Sequence, residues 1–265
     1  MKLHWLFLFL PLLLITVSCS QYDKLLKDGS SQERLAKANE LYEKGVYFKA
    51  IQLYDQLIVE YRGKSEFEDI YYRYAYCYFK QEQYLMAAHY FSSLARTLPN
   101  SKYAEEAFFM GAYCQYLESA EPSLDQTSTT EALTEFQLFV NKYPSSERVK
   151  QCNDLMDELR LKLETKAFNL AKLYFQVEEY KAAIVALNNV LKDYPGSQYK
   201  EEILFLVFKS NYYYANGSIA AKQRERFAAA ETAYKKFASS YPDSKYMREA
   251  ANLNDRINLQ LSKLN

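Results

Sequence analysis

Histidine, glycine and proline are all scarce in this chain of 265 residues, and each shortage removes a class of protein. The two histidines are His4, inside an N-terminal apolar segment, and His89, so a histidine-based metal site or catalytic triad has almost nothing to be built from. Six glycines and six prolines are too few for a turn-rich β protein, a collagen-like chain or a disordered one. Neither sign of charge is in excess: Lys+Arg and Asp+Glu both total 33, so nothing in the net charge recruits nucleic acid. No C-x-x-C pair occurs, and Cys77, Cys114 and Cys152 are widely spaced within apolar helical patterns. Such cysteines are neither a disulfide framework nor a zinc site; they read as small buried side chains. A Gly-rich phosphate loop, H-E-x-x-H and G-x-S-x-G are absent too. His89 reads as a structural residue on a helix, and the paired acids Glu105-Glu106 and Glu178-Glu179 as solvated groups at helix ends. The expectation is a protein that is not an enzyme and uses no cofactor and no metal.

What is plentiful is aromatic: 26 Tyr and 16 Phe, set among Ala, Leu, Lys and Glu. That mixture describes helices packed through aromatic side chains. The single tryptophan, Trp5, belongs to a segment with a basic start (Lys2), an apolar run from Trp5 to Val17, and then Ser18-Cys19. The run is too short to span a bilayer comfortably and suits a signal peptide over residues 1–18. A cysteine directly after it resembles the bacterial lipoprotein signal, in which that residue begins the mature chain and carries the acyl groups. Cys19 is therefore the candidate lipidation residue, with residues 19–31 as a lipidated tether, and Ser20 after it is compatible with sorting to the outer membrane. Loss of the leader would leave a chain without tryptophan.

The remainder is repetitive. Ala50…Tyr54…Leu57…Tyr61, Ala87…Phe91…Leu94…Leu98-Pro99, Ala132…Phe136…Phe139…Tyr143-Pro144, Ala183…Leu187…Val190…Tyr194-Pro195 and Ala230…Tyr234…Phe237…Tyr241-Pro242 share offsets of 4, 3 and 4. Each is a helix whose apolar face recurs every turn and stops at a proline or its equivalent. The five alanines lie 37, 45, 51 and 47 residues apart, which resembles the tetratricopeptide repeat of two antiparallel helices per unit. Upstream of each anchor lies the partner helix, with Tyr71, Tyr74, Ala75 and Tyr78 on one face in repeat 2 and Ala167, Leu170, Ala171 and Tyr174 in repeat 4. Serine two residues after each proline (Ser101, Ser146, Ser197, Ser244) is a ready N-cap, while Ser65 with Glu68 and Ser128 with Glu131 fit a capping box.

Departures from the period divide the chain. Ser119–Ser128 is a polar loop; the stretch from about Glu147 to Val177 has no Gly or Pro and predicts one helix of about 30 residues, roughly 45 Å long. Asn216–Arg226 is a second, locally basic insertion, and about Ser244 to Leu264 forms a closing helix. The expected fold is all-α: a solenoid of five tetratricopeptide helix pairs. Repeats 1–3 occupy residues 32–146, and the long helix, repeats 4–5 and the capping helix occupy 147–265. On the first helix of each pair, Tyr72, Tyr76 and Phe79 in repeat 2, and Phe168 and Phe175 in repeat 4, would face the concave side and suit an extended apolar-aromatic peptide. That Tyr72 and Tyr76 simply pack the next repeat is the open alternative.

The leader ending in Cys19, the five repeats and the Tyr-Pro-x-Ser-x-Tyr junctions together resemble the BamD family of outer-membrane assembly lipoproteins, in its bacteroidete form. The most distinctive pieces are Ala112-Tyr-Cys114, Leu124-Asp-Gln-Thr127, Pro144-Ser-Ser-Glu-Arg148 and Lys222-Gln-Arg-Glu-Arg226. The resemblance implies a non-enzymatic scaffold, lipid-anchored at the periplasmic face of the outer membrane. In that family the C-terminal repeats dock on the POTRA domains of the barrel protein BamA, and the N-terminal repeats meet unfolded outer-membrane protein precursors. Carried over, Tyr72, Tyr76 and Phe79 would touch precursor, and Lys222, Arg224 and Arg226 would lie near the BamA-facing end. Two other classes compete: a periplasmic adaptor of the same repeats coordinating cell-wall synthesis with envelope constriction, and a hydrolase or sugar-binding lipoprotein on a helical base. The adaptor would be expected to carry a trimerising heptad run, absent from Gln21–Gln32, and the hydrolase a second domain for which no segment is left over.

Overall fold

The computed structural model describes residues 21–264, so the leader and Cys19 lie outside the described residues. Helix α1 covers residues 21–28. There follow α2 (Ser31–Glu43), α3 (Tyr47–Glu60), α4 (Phe67–Lys80), α5 (Tyr84–Thr97), α6 (Ala104–Leu117) and α7 (Thr127–Lys142). Next come α8 (Val149–Gln176), α9 (Tyr180–Asp193), α10 (Lys200–Asn216), α11 (Ala220–Ser240) and α12 (Met247–Lys263). No strand occurs among the described residues. The helices form tetratricopeptide pairs, α2/α3, α4/α5, α6/α7, α8/α9 and α10/α11, with α12 closing the last. All five anchor alanines, Ala50, Ala87, Ala132, Ala183 and Ala230, are fully buried, because only a methyl group fits where paired helices approach this closely.

Two compact units result. The first runs to Ala120 and resumes over Asp125–Leu159; its cores hold the fully buried rings of Tyr54, Phe91, Phe136 and Phe139. The second takes Glu121–Leu124 and everything from Arg160, and packs Phe208, Phe227 and Phe237. Helix α8, 28 residues long, supplies Cys152, Met156 and Leu159 to the first core and Phe168 and Ala171 to the second.

Local chemistry explains the helix ends. Leu98, Tyr143, Tyr194 and Tyr241 each precede proline, whose ring bars them from the helical region, and all four sit at φ between -124° and -140° with ψ between 61° and 75°. Between the helices of a pair the chain turns through the left-handed region, at Gly45 (φ 73°), Glu82 (φ 58°) and Glu178 (φ 62°). The capping box belongs to α2, where the Glu33 N–H donates to Ser30 Oγ (3.3 Å) and the Ser30 N–H donates to Glu33 Oε2 (2.9 Å). The two boxes expected elsewhere do not form: Ser65 bonds Glu66 ahead of α4, and Ser128 lies inside α7.

Three expectations change. Residues 21–28, read as part of a tether, are a docked helix: Tyr22 is 8% exposed and its hydroxyl donates to the Lys49 carbonyl (2.8 Å) beside Gln52 Oε1 (2.9 Å) on α3. The basic insertion at 216–226 is mostly the first two turns of α11. The serines after each proline cap a turn that precedes the helix, accepting from the N–H two residues on at 3.0–3.2 Å (Tyr103, Arg148, Tyr199, Tyr246). Three of them also donate backward to the previous repeat: Ser101 to Glu68 (2.7 Å), Ser146 to Glu105 (2.6 Å) and Ser197 to Glu164 (2.6 Å).

Candidate partner-binding surfaces

Helix α4 carries the aromatic run Tyr71-Tyr-Arg-Tyr-Ala-Tyr-Cys-Tyr-Phe79, and its buried stripe is Ile70, Tyr74, Ala75 and Cys77. Tyr72 and Tyr76 flank that stripe and are half-buried against the first core. Both hydroxyls donate to one carboxylate of the following repeat, Tyr72 to Glu106 Oε2 (2.9 Å) and Tyr76 to Glu106 Oε1 (2.7 Å). The Tyr72 ring also stacks on Tyr103 at 3.9 Å between centroids. Burial first, then the acceptor Glu106, pushes the Tyr76 phenol well above its ordinary range, so it remains a donor. Of the two alternatives left open by the sequence, packing against the next repeat is the one these contacts describe. Phe79 is half-buried among Tyr84, Tyr76 and Tyr113, with centroids at 5.7, 6.0 and 6.5 Å.

On α8 the expected division of faces holds only in part: Ala171 is buried and Ala167 packs on the same core, as expected, but Phe168, Leu170 and Tyr174 are not where the pattern put them. Phe168, expected to face a groove, is 3% exposed and stacks on Tyr199, so its ring has no surface for an outside partner. Leu170 and Tyr174, expected to pack within the repeat, are 54% and 37% exposed, and continue with Leu173 and Val177 as an apolar stripe. The physical reason is helical phase. Phe168 and Ala171 meet α9 and α10, which turns the flank one position away toward solvent. The stripe borders a groove of about 500 Å³ that Pro122 and Ser123 complete, with Lys166 Nζ bonded to the Leu124 carbonyl at 2.6 Å. Phe175 is half-buried beside Tyr180 (5.9 Å) and Tyr213 (6.4 Å).

The basic cluster on α11 is not uniform. Arg226 lies over the Tyr214 ring at 3.9 Å and donates to Ser218 Oγ, so its guanidinium braces the turn between α10 and α11. Lys222 is exposed, 3.3 Å from Glu225, and Arg224 is exposed. Sequence reasoning could not have separated these three, because what divides them is a tyrosine one helix earlier.

No group of three or more His, Cys, Asp or Glu residues that could hold a metal occurs among the described residues. His89 is exposed beside the Tyr90 ring rather than packed inside. Cys77, Cys114 and Cys152 are free and fully buried, as expected, and burial pushes their thiols up to about 12, 12 and 11. These thiols are poor nucleophiles. No helix among the described residues is long and apolar enough to cross a membrane. What the arrangement offers is surface.

Comparison with known proteins bears on whose surface it is. A family model described as YfiO, outer membrane lipoprotein, matches residues 27–227. A protein from Aquifex aeolicus (strain VF5), provisionally named outer membrane protein assembly factor BamD, is 25% identical over 205 residues, 77% of this chain and 67% of that one. Among solved structures, a TPR repeats protein from Bacteroides fragilis NCTC 9343 aligns with 87% of this chain and 99% of its own at 13% identity, with a TM-score of 0.42.

Proposed function

The chain belongs to the outer membrane lipoprotein family YfiO, and from that membership we propose that it is a non-catalytic scaffold of the outer-membrane β-barrel assembly machine. Acyl chains on Cys19 hold it at the periplasmic face of the outer membrane, where it binds a BamA-like POTRA barrel protein and unfolded outer-membrane protein precursors. The observation that carries this reading is the extent of the family match, which runs from the end of α1 into α11 and so takes in nearly every helix pair. The name of the Aquifex aeolicus relative supports the same assignment.

A stack of helix pairs presents extended surface along which a partner chain can be held. In this reading precursor segments meet the exposed edges of Tyr72, Tyr76 and Phe79, with Phe175 as the aromatic counterpart in the second unit. The POTRA domains meet α11, where Lys222 and Arg224 offer charge that Arg226, engaged with Tyr214, does not.

Purification of the native lipoprotein from its own membranes in mild detergent, with mass spectrometry of stoichiometric partners, tests this. A POTRA-containing barrel protein is expected, and charge reversal at Lys222 and Arg224 should reduce its recovery. Cell-wall enzymes recovered without that barrel would overturn the assignment and place the protein among the envelope-constriction adaptors.

A further inference from the structure

Tyr22 fixes how far the fold can stand from its proposed anchor. Only Ser20 and Gln21 lie between it and Cys19, so the two are three residue steps apart, at most about 10 Å of extended chain. Its hydroxyl is bonded to the Lys49 carbonyl, its ring lies 5.0 Å from Lys49 Nζ, and Leu26 packs one turn later on the same core. Wherever acyl chains on Cys19 enter a bilayer, the first turn of α3 is therefore held close beside it.

That turn is unusually apolar on its outer side. Phe48, adjacent to Lys49, is 66% exposed, and Val46 is 39% exposed. The corresponding position one repeat later is Leu85, 59% exposed, followed by Met86 at 41%. In repeats 3, 4 and 5 the equivalent position, two residues before the anchor alanine, is Thr130, Lys181 and Ala228, all exposed. The repeat architecture thus supplies its own control: nothing in the helix pair requires a large apolar side chain there, and only the repeats nearest the anchor carry one. Lys24, Lys27, Lys44 and Lys80 are exposed on α1 and around the same turns, interspersed with the exposed Asp23, Asp28, Glu43 and Glu82, and Lys44 pairs with Glu40 at 2.6 Å. An exposed aromatic and aliphatic ridge edged with charged side chains of both signs can lie in a lipid headgroup layer, its apolar side chains rather than net charge supplying the attraction.

We propose that Val46, Phe48, Leu85 and Met86 form an interfacial ridge that seats repeats 1 and 2 on the phospholipid bilayer entered by the Cys19 acyl chains. Anchor and ridge then make a two-point attachment. The acyl chains supply the affinity and the ridge fixes orientation, holding the N-terminal repeats flat at the membrane instead of letting them swing about a single point. This rests on the reading that Cys19 is lipidated.

The test uses the full-length native lipoprotein reconstituted into vesicles of phosphatidylglycerol and phosphatidylcholine brominated in its acyl chains. Because Trp5 lies in the leader, Phe48→Trp and Leu85→Trp each place a single tryptophan in the mature chain, and Val185→Trp on exposed α9 gives the reference. Flotation with the vesicles reports the anchor, and quenching of tryptophan emission reports the ridge. We expect the protein to float, with positions 48 and 85 quenched about twofold or more and blue-shifted relative to position 185. Flotation with position 48 quenched no more than position 185 overturns the ridge alone. Failure to float removes the lipid anchor and the ridge with it.

Discussion

Tyr199 lies face to face on Phe168, with ring centroids 4.4 Å apart and planes inclined by 8°. Two residues before Tyr199, Ser197 donates to Glu164, which stands one turn ahead of Phe168. The same joint recurs with Tyr103 on Tyr72, with Tyr246 on Phe205 (4.5 Å, 10°), and with the Arg148 guanidinium over Phe109 at 4.5 Å. Repeats 3, 4 and 5 and the closing helix α12 are thus each locked to the repeat before by a stacked ring or guanidinium, and in three of these four joints by a buttressing hydroxyl as well. Tyr199→Ala should cost about 2–4 kcal/mol and Ser197→Ala about 1–2 kcal/mol, read as a lowered urea midpoint for the second unit. A Tyr199→Ala protein with an unchanged midpoint would show the stacking to be incidental.

Glu106 serves two phenols at once, so its removal should be felt twice. Glu106→Ala is expected to cost about 1–3 kcal/mol in the wild-type chain and clearly less after Tyr72→Phe and Tyr76→Phe. Equal costs in both backgrounds would mean that the two hydrogen bonds contribute nothing to stability.

Gly111 lies inside α6, where alanine normally gains up to about 1 kcal/mol. Here a Cβ would stand 2.5 Å from Ser92 Oγ and 3.3 Å from the Ser92 nitrogen on α5. Gly111→Ala should therefore destabilise, by about 1–3 kcal/mol, with partial recovery when Ser92→Ala removes the hydroxyl. Differential scanning calorimetry of the single and double variants reads the sign directly.

The left-handed turns provide a matched pair of substitutions. Glycine occupies this position in repeat 1, whereas Glu82 and Glu178 occupy it at the cost of a Cβ clash. Glu82→Gly and Glu178→Gly are each expected to raise the thermal midpoint, by the equivalent of about 0.5–1 kcal/mol, while Gly45→Ala lowers it. A lower midpoint for both glycine variants would contradict the assigned turn geometry.

Alkaline pH should unfold the protein cooperatively. Burial raises Cys77 and Cys114 to about 12, and it lifts Tyr54 and Tyr74 higher still. These groups keep their protons in the folded chain after the unfolded chain has released them. Stability is therefore full below the ordinary thiol and phenol range, near 9 to 10, and falls as pH rises above it. Each such group contributes a slope of up to about 1.4 kcal/mol per pH unit. Absorbance of the tyrosinate near 295 nm should climb with loss of helical circular dichroism rather than ahead of it, and thiol labelling at pH 8 should wait for denaturant.

The helix pairs, the alanine anchors, the proline stops, the long α8 and the buried cysteines were legible in the sequence because each is written locally. A 3.6-residue period puts Ala50, Tyr54 and Leu57 on one stripe whatever surrounds them, and a proline constrains the residue before it through covalent geometry. The candidate surfaces were less legible. Tyr72 and Tyr76 were recognisable as flanking residues of α4, but Glu106, which holds both hydroxyls, lies 34 and 30 residues away, and no local signal points to it.

The sequence by itself therefore determined the repeating helix and its proline stops, through periodicity, backbone restriction and residue size. Only the tertiary structure decided that Phe168 is buried and Leu170 exposed, that Arg226 is engaged with Tyr214 while Arg224 faces solvent, and that the post-proline serines reach back to the preceding repeat. The reason is the same in each case. A helix's own pattern says which residues share a face, but which of two apolar faces is covered, and which cation finds a ring, depends on helices that arrive from elsewhere in the chain.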